Sequence, residues 1–330
     1  VKAASRIAVV GAGIAGLACA GELAAVGHQV TVFEKSRAPG GRAATRITEL
    51  GSFDHGAQFF TARGSPFAAM IAELTATGSV AAWTPRLAAG SDEQRWLVGA
   101  PGMRSIGEVL AEGLEIRYET LVTRLERLDS RGPSRWALRC VTGELAPQAI
   151  EVTEGLFDAV VIAVPAPQAR ELLDAVPALH QRLRGVTMLP CWALMLGFAE
   201  PLACDLDAIF VDGPRISFLA RDSSKPQRRS GERWVAHAAH GWSEEHLNDD
   251  PADVLVKMVK AFRDASGSAV QPVHAVVHRW RYSRVEQALG EPFLWDERQS
   301  IGVCGDWCLG ARLEFAWQSG IALKDAMLHP

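Results

Sequence analysis

The run Ile7-Ala8-Val9-Val10-Gly11-Ala12-Gly13-Ile14-Ala15-Gly16 constrains this chain more than any other stretch. Four apolar residues read as a short buried strand, and glycines follow at once in the spacing G-x-G-x-x-G. Apolar residues then recur at helical spacing, at Ile14, Leu17, Ala18, Leu23 and Ala24, closed by Gly27. A second apolar strand is expected over 30–33, and Glu34 follows it. Strand, glycine turn, helix and a second strand ending in an acid make a dinucleotide-binding unit. Gly11 allows the tight turn, Gly13 lets the backbone approach a pyrophosphate, and Gly16 lets the helix lie close on the strand. The helix start presents unpaired N–H groups and partial positive charge to the phosphates. Glu34 is placed to accept hydrogen bonds from two ribose hydroxyls.

At 330 residues the chain can form one large domain or two that share a core. Its net charge of −4 gives no electrostatic footing for nucleic acid or an anionic membrane. The short basic cluster over 225–229 is expected to be a solvated loop. No apolar run is long enough to span a bilayer. The opening Val1-Lys2-Ala3-Ala4-Ser5-Arg6 is expected to run straight into the first strand, with no room for a signal peptide. Six cysteines, at 19, 140, 191, 204, 304 and 308, lack metal-ligand spacing, since Cys304 and Cys308 have no second pair and no nearby histidine. They are expected to be reduced core thiols of a cytoplasmic protein, and no metal site is expected.

Beyond Glu34, the stretch Lys35-Ser36-Arg37-Ala38-Pro39-Gly40-Gly41-Arg42 joins a flexible loop to an arginine, bringing a bidentate cation near the same pyrophosphate. The stretch Phe53-Asp54-His55-Gly56-Ala57-Gln58-Phe59-Phe60-Thr61-Ala62-Arg63 mixes polar and aromatic types with neither helical nor strand period. It suits a loop crossing a cofactor ring, where small residues permit close approach and polar ones fix orientation. Helices are expected over 67–76, from Met103 and over 166–176; strands are expected over 114–118, 122–128, 136–140 and 157–165. The last of these is apolar enough to be buried on both faces, as in a parallel sheet. From Leu189 the texture changes to a second sheet, with strands over 192–198, 216–220, 234–240 and 273–282 and a helix over 254–262.

The end of the chain returns to its beginning. Ser300-Ile301-Gly302-Val303-Cys304-Gly305-Asp306 reads as a strand leading into an acid, and a helix follows over 313–328. In a chain that opens with a dinucleotide fingerprint, this ending points to FAD rather than NAD. The acid can hold ribityl hydroxyls, and the helix start can stabilise negative charge at the flavin N1–C2=O edge.

Several further stretches complete a pattern: Gly40-Gly41-Arg42-Ala43-Ala44-Thr45-Arg46, residues 98–103, Cys191-Trp192-Ala193-Leu194, His278-Arg279-Trp280-Arg281-Tyr282 and Cys304-Gly305-Asp306-Trp307-Cys308-Leu309-Gly310. With them the chain resembles the flavin monooxygenase and amine oxidase superfamily, and within it the bacterial renalase branch, over nearly its whole length. The stretch from Phe53 to Gln58 is the most specific of these motifs; the first glycine motif is shared across the superfamily. The resemblance implies an α/β fold of the p-hydroxybenzoate-hydroxylase type. In it a Rossmann-like FAD-binding domain takes 1–64, 98–175 and 283–330, and a mixed-sheet substrate domain takes 65–97 and 176–282. It also implies non-covalent FAD and a monomeric, soluble, cytoplasmic enzyme. The implied reaction oxidises dihydro isomers of NAD(P)H that carry the hydride at C2 or C6, with O2 reduced to H2O2. The implied FAD contacts are Gly11, Gly13, Ile14, Ala15, Gly16, Glu34, Lys35, Gly41, Arg42, His55, Gly56, Ala57, Gln58, Val122, Asp306, Leu313 and Glu314.

The residues suit that chemistry. Hydride transfer from a dihydropyridine to flavin N5 needs stacking and orientation more than acid–base help. Apart from His55, His237 and His240 the sequence offers no obvious base. An amine oxidase instead needs a neutral amine against the ring, commonly in an aromatic cage, and this chain has two tyrosines, Tyr118 and Tyr282. Arg312 lies just before the final helix, where amine oxidases often place a cage aromatic, and a cation there repels ammonium substrates. Candidate catalytic residues are Gln58, Thr61, His237 and Arg312; candidate substrate contacts are Phe59, Trp192, Trp280 and Tyr282. His237 and His240, three apart on one expected strand, face opposite ways, so at most one, His237, meets a pocket. No second glycine fingerprint is present, which argues against a reductase fed by ordinary NADPH. A small-amine oxidase on the same scaffold, and a flavin-binding module without turnover, remain open at this point.

Overall fold

The computed structural model describes residues 4–88, 95–128, 135–142 and 150–329; the expectation about the opening residues falls on 1–3, outside that range. The chain divides into two compact units of interleaved segments. One is Val1–Gly41, Gly107–Met188 and Val285–Pro330; the other is Arg42–Ile106 and Leu189–Arg284.

In the first unit the strand Arg6–Val10 takes a central place in a six-stranded sheet, in the order Leu294–Asp296, Ile301–Val303, Ala159–Ile162, Arg6–Val10, Gln29–Phe33, Glu115–Arg117. Neighbours run parallel except for the antiparallel edge strand Leu294–Asp296. Strand alternation sends Ile7 and Val9 to one face, where they pack with Leu17 and Leu23 of the helix Ile14–Ala25 and Leu323 and Met327 of the helix Leu313–Leu328. Ala8 and Val10 go to the other face. There they share a core with Trp136, Leu138 and Phe157 of a three-stranded antiparallel sheet, Thr120–Leu128, Arg135–Thr142 and Ile150–Phe157. Burial on both faces is why these strands read as unbroken apolar runs. The helix expected over 166–176 stops at Leu172, and a separate helix, Pro177–Arg182, follows with Pro177 in its first turn.

The second unit holds a five-stranded sheet in the order Ala208–Phe210, Ile216–Arg221, Glu232–Ala238, Thr187–Phe198, His274–Gln287. One face is covered by the helix Pro251–Ser266, through Val254, Met258 and Phe262 against Trp192, Leu194, Leu196 and Trp234. That helix is capped at its start by the Asp250 side chain, which accepts from the Ala252 N–H at 2.7 Å, and stopped by Gly267 at φ +69°. On the opposite face Met195 and Val235 meet Phe53 of the hairpin Thr45–Thr48 and Gly51–Asp54. A second hairpin, Val80–Trp83 with Trp96–Gly99, pairs through Leu97 with Phe60. The strand expected over 234–240 stops at Ala238. His240 opens the helix His240–Glu245, with Nδ1 2.9 Å from the Pro190 carbonyl, so the opposite-face argument for the two histidines does not apply.

All six cysteines are free thiols; five are buried and Cys204 is half-buried. Among the described residues, no helix is long and apolar enough to cross a membrane.

Candidate active site

The first unit supplies a cradle made almost wholly of backbone. Gly11 sits at φ +104°, and a Cβ there would come 2.7 Å from the Ala163 carbonyl oxygen. A Cβ on Gly16 would run into the Gly11 carbonyl oxygen, so turn and helix are in direct contact. Gly13 caps the helix Ile14–Ala25 without any side-chain hydrogen bond, and nothing lies within 4 Å of where its Cβ would be. An uncapped helix start beside open space is what a pyrophosphate requires, so the residues fit the phosphates of FAD. The Pro-Gly-Gly loop closes on the turn: Gly40 N–H donates to the Ala12 carbonyl at 2.8 Å. Glu34 is buried and accepts from the Ala12 and Ser36 N–H groups, each at 2.8 Å, so its carboxylate is locked in place beside the turn.

At the other end of this unit, Gly320 of the helix Leu313–Leu328 faces the Ala15 carbonyl so closely that a Cβ would clash with it. Asp306, in the turn before that helix, is buried. Arg312 caps the helix start and pairs with Glu314 at 2.6 Å, while its guanidinium lies over the Phe315 ring. Ile14 and Ala15 are buried in the first turn of the opening helix, Lys35 is exposed, and Val122 packs into the core with Trp136 and Cys140.

The second unit contains a feature the sequence reading missed. Asp54, Asp222, Lys225 and Arg228 bury their side chains completely in one cluster. Lys225 Nζ donates to Asp54 Oδ2 at 3.1 Å, to Asp222 Oδ1 at 2.8 Å and to Gln58 Oε1 at 3.2 Å. Arg228 donates to Asp54 Oδ2 at 2.5 Å and to the Gly99 carbonyl at 3.1 Å. Asp54 also accepts from Thr45 Oγ1 and the Met103 N–H. Lys225 and Arg228 therefore correct the expectation of a solvated loop over 225–229. Asp222 is near them in the chain, but Asp54 and Gln58, which complete the cluster, are remote in sequence, so no local pattern marks the burial. Burial pushes the Asp54 carboxyl up, but Lys225, Arg228 and these hydrogen bonds hold it well below its usual value. Burial raises Asp222, whose Oδ2 accepts no hydrogen bond and lies 3.9 Å from Arg228 Nε.

The loop after Asp54 sits beside this cluster. Gln58 is buried, with its amide nitrogen donating to the Asp54 and Gly56 carbonyls and 3.5 Å from His237 Nε2. A Cβ on Gly56 would strike the Arg42 carbonyl oxygen, to which the Ala57 N–H also donates, at 2.9 Å. Arg42 itself donates to the Ser283 carbonyl at 3.2 Å. Phe59 stacks on Trp96 with centroids 3.8 Å apart, and Thr61 is half-buried. His55 stacks on Trp280, whose indole N–H donates to the His55 carbonyl at 2.9 Å. His278, which opens the motif His278-Arg279-Trp280-Arg281-Tyr282 but is not among the site candidates, meets both rings and lies 3.4 Å from the Arg46 guanidinium. Burial, then His278 and Arg46, push the His55 imidazole down to about 3, and its Nδ1 is unpartnered. Burial, with Lys225 and His240, pushes His237 down to about 4 against a hydrogen bond that its ring makes to the His55 backbone. Trp280 and the half-buried Tyr282 alternate with Arg279 and Arg281 on one strand. Trp192 departs from expectation: it is buried beneath the helix Pro251–Ser266, with its indole N–H on the His246 carbonyl at 3.0 Å. Its strand period puts it with Leu194 and Leu196, away from His237. Among the described residues, no group of histidine, cysteine and acidic side chains is arranged to hold a metal ion.

Comparison with known proteins defines the class. A family model for NAD(P)-binding Rossmann-like domains matches residues 9–74, and one for flavin containing amine oxidoreductases matches residues 77–322. The chain belongs to the flavin containing amine oxidoreductase family, and its cofactor is FAD. Renalase of Mus musculus is 26% identical over 319 residues, covering 87% of each chain. A 4,4'-diapophytoene desaturase of Staphylococcus haemolyticus is 56% identical over 50 residues, covering 15% of this chain and 10% of that one. Among solved structures, an Exiguobacterium protein assigned as a protoporphyrinogen oxidase has a TM-score of 0.73 at 16% identity, with both chains fully covered. An oxidoreductase from Methanosarcina mazei has a TM-score of 0.65 at 13% identity, covering 96% of this chain and 99% of that one. These two likenesses establish the fold.

Proposed function

We propose that this flavoenzyme oxidises the 2- and 6-dihydro isomers of NAD(P)H to NAD(P)+ and passes the electrons to O2. The observation that carries the reading is how the titratable groups around Gln58 are engaged among the described residues. Asp54 and Asp222 are paired with Lys225 and Arg228, and burial pushes the imidazoles of His55 and His237 down to about 3 and about 4, which makes them weak proton acceptors. A dihydropyridine gives up a hydride without losing a proton, so it needs orientation and stacking rather than a base. Bound FAD supplies the hydride acceptor, whose reoxidation by O2 releases H2O2. Glu34 and the backbone from Gly11 to Gly16 would hold the nucleotide. Trp280, Phe59 and Tyr282 offer flat surfaces for a planar ring. The renalase relative supports the same reading.

The test is anaerobic mixing of FAD-loaded protein with 2- and 6-dihydro-NAD while following the flavin's visible absorption. Rapid bleaching, reversed by air with H2O2 formed, is the expected result. No bleaching with FAD present would overturn the proposal, and bleaching by small primary amines instead would make this an amine oxidase.

A further inference from the structure

The loop after Asp54 has no regular structure, yet the carbonyls of Asp54, His55 and Gly56 are all held by side chains. The buried Gln58 amide donates to the Asp54 carbonyl and, at 3.2 Å, to that of Gly56. The Trp280 indole donates to the His55 carbonyl between them at 2.9 Å. The chain thus curls around its own Gln58 side chain. From the far side Lys225 Nζ donates to Gln58 Oε1 at 3.2 Å, and an ammonium has no acceptor, so the amide oxygen must face it. The amide carries two hydrogens. Both go to the two carbonyls, leaving none for His237 Nε2, 3.5 Å away, or for a bound molecule. The flanking main chain is pinned as well. Ala57 N–H donates to the Arg42 carbonyl at 2.9 Å, and Gly56 has no room for a Cβ against that same oxygen. Phe60 exchanges both backbone bonds with Leu97, at 2.8 and 2.9 Å.

We propose that Gln58 is a positioning residue, not a catalytic one: it sets the main chain of His55, Gly56 and Ala57, which are expected to meet the flavin, and it donates no hydrogen bond to substrate. A buried carbonyl stripped of its donor loses free energy until it finds another. Removing the Gln58 amide strips two carbonyls at once, on either side of His55. They can be satisfied again only if the loop turns, and a turned loop offers the cofactor a different surface. The link to Lys225 ties this loop to the buried cluster, because Asp54 and Asp222 hold the ammonium that faces the amide. The proposal rests on FAD as cofactor and not on the identity of the substrate, so it and the function proposed above can fail separately.

The experiment follows amide hydrogen exchange by mass spectrometry in FAD-loaded protein, with FAD affinity and the visible absorption of the bound flavin measured on the same samples. Gln58→Met keeps the length of the side chain and removes its polar atoms. Gln58→Glu keeps an acceptor for Lys225 and, when ionised, removes both donors. Each variant should speed exchange in a peptide spanning 53–60 by roughly tenfold or more, while the strands Arg6–Val10 and Glu232–Ala238 stay protected as in the wild type. Each should also weaken FAD binding about tenfold and shift the flavin absorption at saturating FAD. Wild-type protection of 53–60 in Gln58→Glu would overturn the proposal, as would unchanged FAD affinity and absorption, or exchange raised throughout the chain. If Gln58→Met does not fold, Gln58→Glu decides alone. No substrate enters these measurements, so failure of dihydropyridines to bleach the flavin would count only against the substrate reading.

Discussion

The cradle of the first unit and the charged cluster of the second are both polar centres walled by apolar residues, but they are built of different materials. The cradle consists of backbone N–H groups, glycine turns and one acid, all within residues 11–41. The cluster consists of four side chains, of which Asp54 and Lys225 lie 171 positions apart. Backbone polarity costs little to arrange once the turn is formed, because the helix supplies the donors. Buried side-chain charges repay their desolvation only when every partner is in place. The cradle therefore tolerates changes that leave its main chain alone, whereas the cluster should fail as a unit.

That contrast can be broken in order of effect. Asp54→Ala leaves Lys225 and Arg228 buried without their shared carboxylate and should cost about 3–5 kcal/mol, read by urea unfolding; a loss below ~1 kcal/mol would reduce the cluster to ordinary packing. Acidification should come next. His55 and His237 titrate at about 3 and about 4 in the folded protein, below the ordinary 6.5. The stability they permit is therefore whole above 6.5 and is lost as the unfolded chain takes up their protons on the way down. At pH 5 each should cost on the order of 2 kcal/mol, and a urea midpoint that is flat from pH 7 to 5 would contradict this.

In the cradle, Gly16→Ala should cost about 1–3 kcal/mol through its clash with the Gly11 carbonyl, and purified protein should lose most of its FAD; a fully yellow variant would show that the turn can yield. Glu34→Ala leaves the Ala12 and Ser36 N–H groups without their acceptor and should weaken FAD binding roughly tenfold, about 1.4 kcal/mol, measured by equilibrium dialysis. Smallest should be Arg312→Ala, expected to leave FAD content near wild type while slowing substrate-dependent flavin reduction several-fold; equal loss of both would make Arg312 a cofactor-binding residue.

The same contrast explains what could be read in advance. The turn, the opening helix and the final helix Leu313–Leu328 follow from short-range pattern, since glycine spacing and helical period are local properties. Asp54 stood inside a quoted motif, yet nothing nearby hinted at its partners. Asp222-Ser223-Ser224-Lys225 reads as a polar loop by composition, and only the arrival of Asp54 and Gln58 from another segment makes burial affordable. Trp192 failed for a related reason: an aromatic on a two-sided strand is assigned to a face by what packs there, and the helix Pro251–Ser266 occupies its side. The hairpins Thr45–Thr48 with Gly51–Asp54 and Val80–Trp83 with Trp96–Gly99 were missed because strands of four residues carry too few alternations to register.

The buried thiols bear on how long such an enzyme lasts. Peroxide attacks thiolate, not thiol. Burial pushes Cys19, Cys140, Cys191 and Cys308 up to about 12 and Cys304 well above its usual value. Under the oxidase chemistry proposed here, every turnover releases an oxidant within the protein that made it. Five of its six sulfhydryls then stay in the unreactive form at any physiological pH, and wear by self-oxidation is steered to Cys204 and to methionine.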